Sequence, residues 1–228
     1  MSAKAWIVFI VIVAGSLLSL VVWSKNSTVS IDLGNIDSSN VQPASEASGN
    51  IADHVFGNDK SNVVLVEYGD FQCAGCASVY PGLKNLAEIY EDDIAFIFRN
   101  FPLTTIHPNA KATSGAAEAA GLQAKFWEMH DVLFENQSQW ESIAANERTD
   151  LFLGYAKGLG LNEEKFLSDL SSSAVSQKID FDRVLGAKDN VNSTPSLYLN
   201  GIKLDSSVVQ DIQVGDGTLL KALIDKEL

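Results

Sequence analysis

V-V-L-V-E-Y-G-D-F-Q-C-A-G-C, residues Val63 to Cys76, contains both cysteines of the chain. Val63 to Tyr68 is β-branched and continuously apolar apart from Glu67, as in a strand covered on both faces. Gly69 to Gln72 is a loop out of that strand. Cys73 and Cys76 then open a helix running to about Tyr90, with Val79, Leu83, Leu86 and Tyr90 along one face at steps of three and four. Pro81 interrupts that pattern and predicts a kink. Ile94 to Phe98 reads as the next strand. Strand, helix and strand in this order make a βαβ unit, whose crevice opens at the carboxyl ends of the strands beside the cysteines.

With no third cysteine, the pair cannot belong to a larger disulfide framework. Close spacing lets the sulfurs switch between dithiol and disulfide, and a helix N-terminus favours the thiolate. Redox exchange is the sharp reading; a structural staple or half of a metal site is the bland one. His54, His107 and His130 fit no compact zinc spacing with the cysteines. His130, beside an acid on a helix, reads as a surface or cap residue, whereas Phe126, Trp127 and Met129 read as core.

Upstream, Trp6 to Trp23 carries no charge and approaches the ~20 residues that cross a bilayer. It exceeds the roughly 7–15 residue core of a signal peptide and lacks an adjoining small-residue cleavage site. Residues 1–25 are therefore expected to be an uncleaved transmembrane anchor, with the N-terminus cytoplasmic. Residues 26–50, rich in Ser, Asn, Asp and Gly, read as a flexible linker, parts of which could dock on the domain. Residues 51–228 suffice for one substantial core. A net charge of −13 over 228 residues argues against a nucleic-acid surface.

Between about residues 109 and 186 the signals are helical. Ala110–Ala124 is alanine-rich, Lys125–Phe134 places Phe126, Met129 and Leu133 toward a core, and Leu151–Leu159, Glu163–Leu170 and Ser176–Leu185 follow. This block reads as an insertion between strands. Ser196–Leu199 and Ile202–Leu204 flank Asn200–Gly201, a strong hairpin signal. Gly217–Leu228 closes the chain as a helix with Leu219, Leu220, Leu223 and Ile224 toward the sheet.

Together with D-H-V-F-G-N at Asp53–Asn58, R-N-F-P-L, F-W-E-M-H-D and S-T-P-S-L-Y-L-N-G, the cysteine segment resembles the DsbA-like thiol–disulfide oxidoreductases of the thioredoxin superfamily, over about Ile51 to the C-terminus. The resemblance implies an α/β thioredoxin fold with an inserted helical subdomain, preceded here by a transmembrane helix. It assigns Cys73 as the exposed nucleophile, Cys76 as the buried resolving cysteine and Glu67 as a buried acid serving Cys76. Thr194 and Pro195 correspond to the family's cis-proline loop, which pairs with extended clients through main-chain bonds. Ala74–Gly75 departs from the family by lacking the histidine of its strongest oxidases.

The activity implied is disulfide formation in reduced or unfolded exported proteins, at the outer face of a cell membrane. A quinone-linked membrane partner would reoxidise the protein, which is expected to act as a monomer without metal or other cofactor. A reductase or isomerase of the same fold is the alternative. A noncatalytic chaperone using the same groove is the reading from another class.

Overall fold

The computed structural model describes residues 36–228 continuously, together with Trp6, Phe9, Ile10, Ile12, Val13, Gly15 and Gly34. Two compact units are resolved, Met1–Asp32 and Leu33–Leu228. In the first, the described residues between Trp6 and Gly15 are helical, and the Trp6 and Phe9 rings meet edge to face at 5.9 Å. Among the described residues no helix is long and apolar enough to cross a membrane. Most of the expected anchor over residues 1–25, and the linker up to residue 35 apart from Gly34, lie outside the described residues.

The second unit is built on five strands: β1 (Val55–Gly57), β2 (Val64–Gly69), β3 (Ala95–Asn100), β4 (Ser196–Leu199) and β5 (Ile202–Lys203). Their order across the sheet is β1-β3-β2-β4-β5. β2 and β3 run parallel, with Val64 beside Ala95 and Glu67 beside Phe98. The other pairings are antiparallel. Every residue of β2 and β3 is buried, which explains their uninterrupted apolar character. Asn200 and Gly201, both at positive φ (48° and 78°), close the β4–β5 hairpin as its sequence foretells.

The crossover from β2 to β3 is helix α1 (Ala74–Ile89), which contains Pro81 and remains one continuous helix. Most of the chain between β3 and β4 is helical: α2 (Ala110–Gly121), α3 (Phe126–Glu135), α4 (Gln137–Trp140), α5 (Arg148–Gly158), α6 (Glu163–Leu170) and α7 (Ser173–Lys188). Helices α8 (Ser206–Val214) and α9 (Thr218–Glu227) complete the unit. This is an α/β thioredoxin-like fold with a helical insertion.

The core lies in two main clusters. In one, Val79, Leu83 and Leu86 of α1 join Leu65, Phe96, Leu197, Ile212, Leu220 and Ile224. In the other, the insertion supplies Phe126, Met129, Leu133, Trp140, Phe152 and Phe166 to pack with Phe71 and Phe98. Leu219, expected to face the sheet, is exposed instead, because the buried face of α9 is set by Leu220 and Ile224 one turn apart.

Residues 36–50, within the stretch read as a linker, pack against the domain. Buried Arg99 on β3 donates to the carbonyl oxygens of Ser38 (2.5 Å) and Asn40 (2.9 Å) and to Asp53 Oδ2 (2.7 Å). Lys178 on α7 donates to Asp53 Oδ1 (2.9 Å) and Asp182 Oδ1 (2.6 Å). Burial alone would raise the Asp53 pKa, but Lys178 and Arg99 together hold it well below the usual carboxylate range. This buried charge cluster fastens the entering chain to the sheet and the insertion.

Candidate active site

β2 ends at Gly69, and the chain turns through Asp70–Gln72 to place Cys73 as the N-cap of α1. Asp70 fixes that turn. Its Oδ1 accepts from the Gln72 amide (2.8 Å), and its Oδ2 accepts from the Leu103 amide (2.8 Å) and lies 2.7 Å from His107 Nδ1. From the insertion, Gln137 Nε2 donates to the carbonyls of Phe71 (2.7 Å) and Cys73 (3.2 Å). The cysteine turn is thus held from both flanks.

Cys73 is half-buried, Cys76 is fully buried, and both are free thiols. The Cys73 pKa is held down to about 5, chiefly by a hydrogen bond from the Cys76 thiol. Partial burial opposes this, while the Thr194 hydroxyl and the Cys76 and Gly75 amides reinforce it. The Thr194 hydroxyl is buried, and its dipole favours the ionised Cys73 sulfur. Burial pushes the Cys76 thiol well above its ordinary value, aided by its bond to Cys73 and by Glu67. The Asp70 amide donates to the Cys76 sulfur at 3.4 Å. One sulfur is thus a poised thiolate and the other a protonated reserve.

Glu67 lies on β2 beneath the pair, 2% exposed, and its Oε1 has no hydrogen-bond partner. Burial, then the nearby Cys73 charge, push its pKa up to about 8, against a lowering contact with Cys76. It is therefore mostly a neutral acid at pH 7 while Cys73 is ionised.

The Thr194–Pro195 peptide is cis, and the Cys73 thiol lies 3.4 Å from the Thr194 carbonyl oxygen. Gly75 faces the same loop. A Cβ there would stand 3.2 Å from Pro195 Cδ and 3.5 Å from Cys73 Sγ, so the missing side chain allows the close approach. Ala74 begins α1 beside it. An open groove continues from Pro195 along Ser196, Leu204, Val209 and Gln213. Every site residue named from the sequence falls in this one neighbourhood.

His130 corrects the sequence reading. It is 4% exposed rather than on the surface, and its ring lies among Phe71, Tyr80, Phe98, Trp127 and Phe134 at centroid distances of 4.9–5.6 Å. Aromatic packing, rather than its acidic neighbour in sequence, sets its position. The roles of Asp70, His107 and Gln137 in holding the cysteine turn escaped sequence reading because the contacts that tie Asp70 to Leu103 and His107, and Gln137 to the Phe71 and Cys73 carbonyls, join positions distant in the chain. Among the described residues no group of three or more His, Cys, Asp or Glu side chains is placed to hold a metal ion.

An α/β sheet with a CxxC pair at the mouth of its crossover helix and a cis-proline loop opposite defines a thioredoxin-type site. The chain belongs to the thioredoxin family, whose model matches residues 49–213. Among solved structures it is similar to BdbD from Bacillus subtilis in its oxidised form, with a TM-score of 0.61 and 23% identity over 82% of this chain and 97% of that one. It is also similar to the thiol-disulfide exchange protein alpha-DsbA2 from Wolbachia pipientis (TM-score 0.62, 21% identity, 77% of this chain and 87% of that one). A third is MdbA from Corynebacterium diphtheriae, a thiol-disulfide oxidoreductase (0.59, 18%, 82% and 98%). In sequence it is 37% identical over 153 residues to a protein named Na(+)/H(+) antiporter NhaA 1 from Mycolicibacterium vanbaalenii, covering 66% of this chain and 24% of that protein. The chain thus spans about a quarter of the length of the curated relatives it matches.

Proposed function

We propose that this protein is a thiol–disulfide oxidoreductase that introduces disulfides into reduced exported proteins outside the cytoplasm. The observation that carries the reading is the asymmetry of the pair: a half-exposed, low-pKa Cys73 against a buried, protonated Cys76. A client thiolate attacks Cys73 in the Cys73–Cys76 disulfide, and Cys76 leaves and takes up a proton. The client's second thiolate then attacks its own sulfur in the mixed disulfide, forming the client disulfide and releasing Cys73 as a thiolate. A low thiol pKa makes Cys73 the better leaving group, which favours oxidation of the client. Glu67 is the acid that donates and recovers the Cys76 proton, while Thr194–Pro195 and the groove beyond receive the extended client.

The uncharged Trp6–Trp23 segment suits a single-pass anchor, and an oxidising compartment is where such a disulfide persists. A quinone-linked membrane protein would then recover the oxidised state at the same surface. The test is the reduction potential against glutathione together with oxidation of a reduced client. A potential toward the roughly −120 mV of a strong oxidant, loss of turnover in Cys73→Ser, and trapped mixed disulfides in Cys76→Ala support the reading. A potential near ~−270 mV reverses the direction to reduction, and full activity of Cys73→Ser removes the mechanism. Protease added to intact spheroplasts should digest the domain; protection until lysis overturns the location.

A further inference from the structure

Between four helices of the insertion lies an open groove of about 480 Å³, within the ~300–1,000 Å³ typical of ligand sites. Its apolar floor is Phe152 of α5, Leu167 and Leu170 of α6, and Val175 and Ile179 of α7. Phe152, Val175 and Ile179 are fixed in the core, whereas Leu167 is 38% exposed, an apolar side chain left open at the rim. Along α7 the groove runs from Ser172 to Ile179, roughly 10 Å at ~1.5 Å per residue. Three or so residues of extended chain, at ~3.3 Å each, cover that length.

The charge of the groove opposes that of the chain. Among the described residues, the charged side chains that line it are Lys111 and Arg148, in a protein whose net charge is −13. Lys111 is half-exposed and meets Asp180 only at 3.5 Å, a pair worth little in water, so its ammonium stays available. Arg148 uses one Nη1 donor on Asn109 Oδ1 at 3.1 Å, which leaves other donors of its guanidinium for a carboxylate. First turns of α2, α5 and α7 line the groove, against one C-terminal turn from α6, so the helix ends add positive potential. The groove also begins beside the cysteine turn. Pro108 lines its edge, and the amide of the next residue, Asn109, donates to Gln72 Oε1 at 2.7 Å. Gln72 precedes Cys73 and donates through Nε2 to the Glu141 carbonyl at 2.6 Å, which ties this edge to the insertion.

We propose that this groove is a second client-binding surface, which takes a short acidic and apolar segment flanking the client cysteine held at Cys73. The inference rests on the redox reading of the cysteine pair and names a class of client for it. Gly75 faces the Thr194–Pro195 loop, whereas Gln72 and Asn109 lead from the cysteine turn to the insertion. One flank of an extended client follows the cis-proline loop, and the other crosses Pro108 into the insertion. There a large apolar side chain covers Leu167, and carboxylates of the same segment lie against Lys111 and Arg148. A basic flank meets the same two cations and is disfavoured. The groove thus selects between clients that react identically at the sulfur.

The test uses the oxidised full chain and reduced synthetic peptides with two cysteines, either bare or extended by about eight residues on one side or the other. Such an extension spans up to about 26–29 Å, enough to cross the groove. In one extension Glu alternates with Leu; in its control Lys replaces Glu. Loss of the peptide thiols in a single turnover gives a limiting rate and a half-saturating concentration. On the side that reaches the groove, the Glu–Leu extension should lower the half-saturating concentration about tenfold, as expected for one buried leucine and two ion pairs after the cost of ordering the segment. The limiting rate should stay unchanged, because the reacting sulfurs are the same. Lys111→Glu should remove about two- to fivefold of that gain and Leu167→Asp most of it, while both leave reaction with reduced glutathione unchanged. Lys111→Glu should also weaken the discrimination against the lysine extension, which a folding defect would not do. No gain from the glutamate extensions, an equal gain from the lysine extensions, or a preference that survives both substitutions overturns the groove as a client surface and leaves the redox reading intact. Failure of the wild-type protein to oxidise the bare peptide overturns the redox reading instead.

Discussion

Titration of Cys73 tests the electrostatics of the site directly. With its pKa held down to about 5, the thiolate should outnumber the thiol by about 100 to 1 at pH 7, at a factor of ten per unit. At pH 6 roughly 90% should already be ionised, against less than about 1% for a free cysteine of pKa ~8.5. The largest cause is the hydrogen bond donated by Cys76, and a bond to a charged group contributes ~1.5–3 kcal/mol, or about one to two units. Because Cys73 is only half-buried, solvent screening favours the lower end. Cys76→Ala should therefore raise the midpoint by about one unit, the remaining depression coming from Thr194 and the helix amides. The rate of alkylation by iodoacetamide against pH measures this, and in the wild type the protonated Cys76 stays silent in the acid range. A wild-type midpoint in the ordinary thiol range would refute the reasoning, as would an unmoved midpoint in Cys76→Ala.

Glu67 sets an opposite pH dependence. Its folded pKa of about 8 lies above its ordinary value of 4.5, so the folded state binds the extra proton between them and stability falls as pH rises through that window. Cys73 in the reduced protein works the other way, adding stability as pH rises from about 5 toward its ordinary 9. The oxidised protein lacks that thiolate, so its urea stability should decline from mildly acid to mildly alkaline pH, and Glu67→Gln should flatten the decline; an equal slope in the variant counts against a buried acid. Arg99→Ala leaves Asp53 without one of its two cations and should cost about 3–5 kcal/mol in the same assay, a loss absent if residues 36–50 merely rest on the surface. Gly75→Ala places its Cβ 3.2 Å from Pro195 Cδ, so reaction with a protein client should slow more than reaction with glutathione; equal effects on both would remove the groove as the client's seat.

What could be read from the sequence divides according to how far each signal reaches along the chain. Local periodicity located β2, α1, β3 and the β4–β5 hairpin to within a residue or two, because each is shaped mainly by its own apolar spacing and turn chemistry. The β1 strand, only Val55–Gly57, and α8 have too little pattern of their own; β1 forms by pairing with β3, and α8 buries only Val208 and Ile212 against the core. The resemblance to a family gave Glu67 its role and brought Thr194 and Pro195 to the cysteines, since no local rule joins positions as far apart as residues 73 and 195. Asp70 and His107 find each other only after the loop beyond β3 folds back, and Gln137 reaches the Cys73 carbonyl from the insertion. His130 shows the same limit most clearly. Its neighbour Asp131 suggests a surface pair, and Asp131 does reach the surface through Lys84. The ring itself, however, turns inward beneath Phe71 and Phe98, toward the cavity it shares with Glu67. A helix of the insertion thereby borders the same cavity as the acid of the first central strand. The insertion is thus part of the environment of the cysteine pair, and substitutions in α3 should be judged by their effect on Cys76 chemistry as well as on packing.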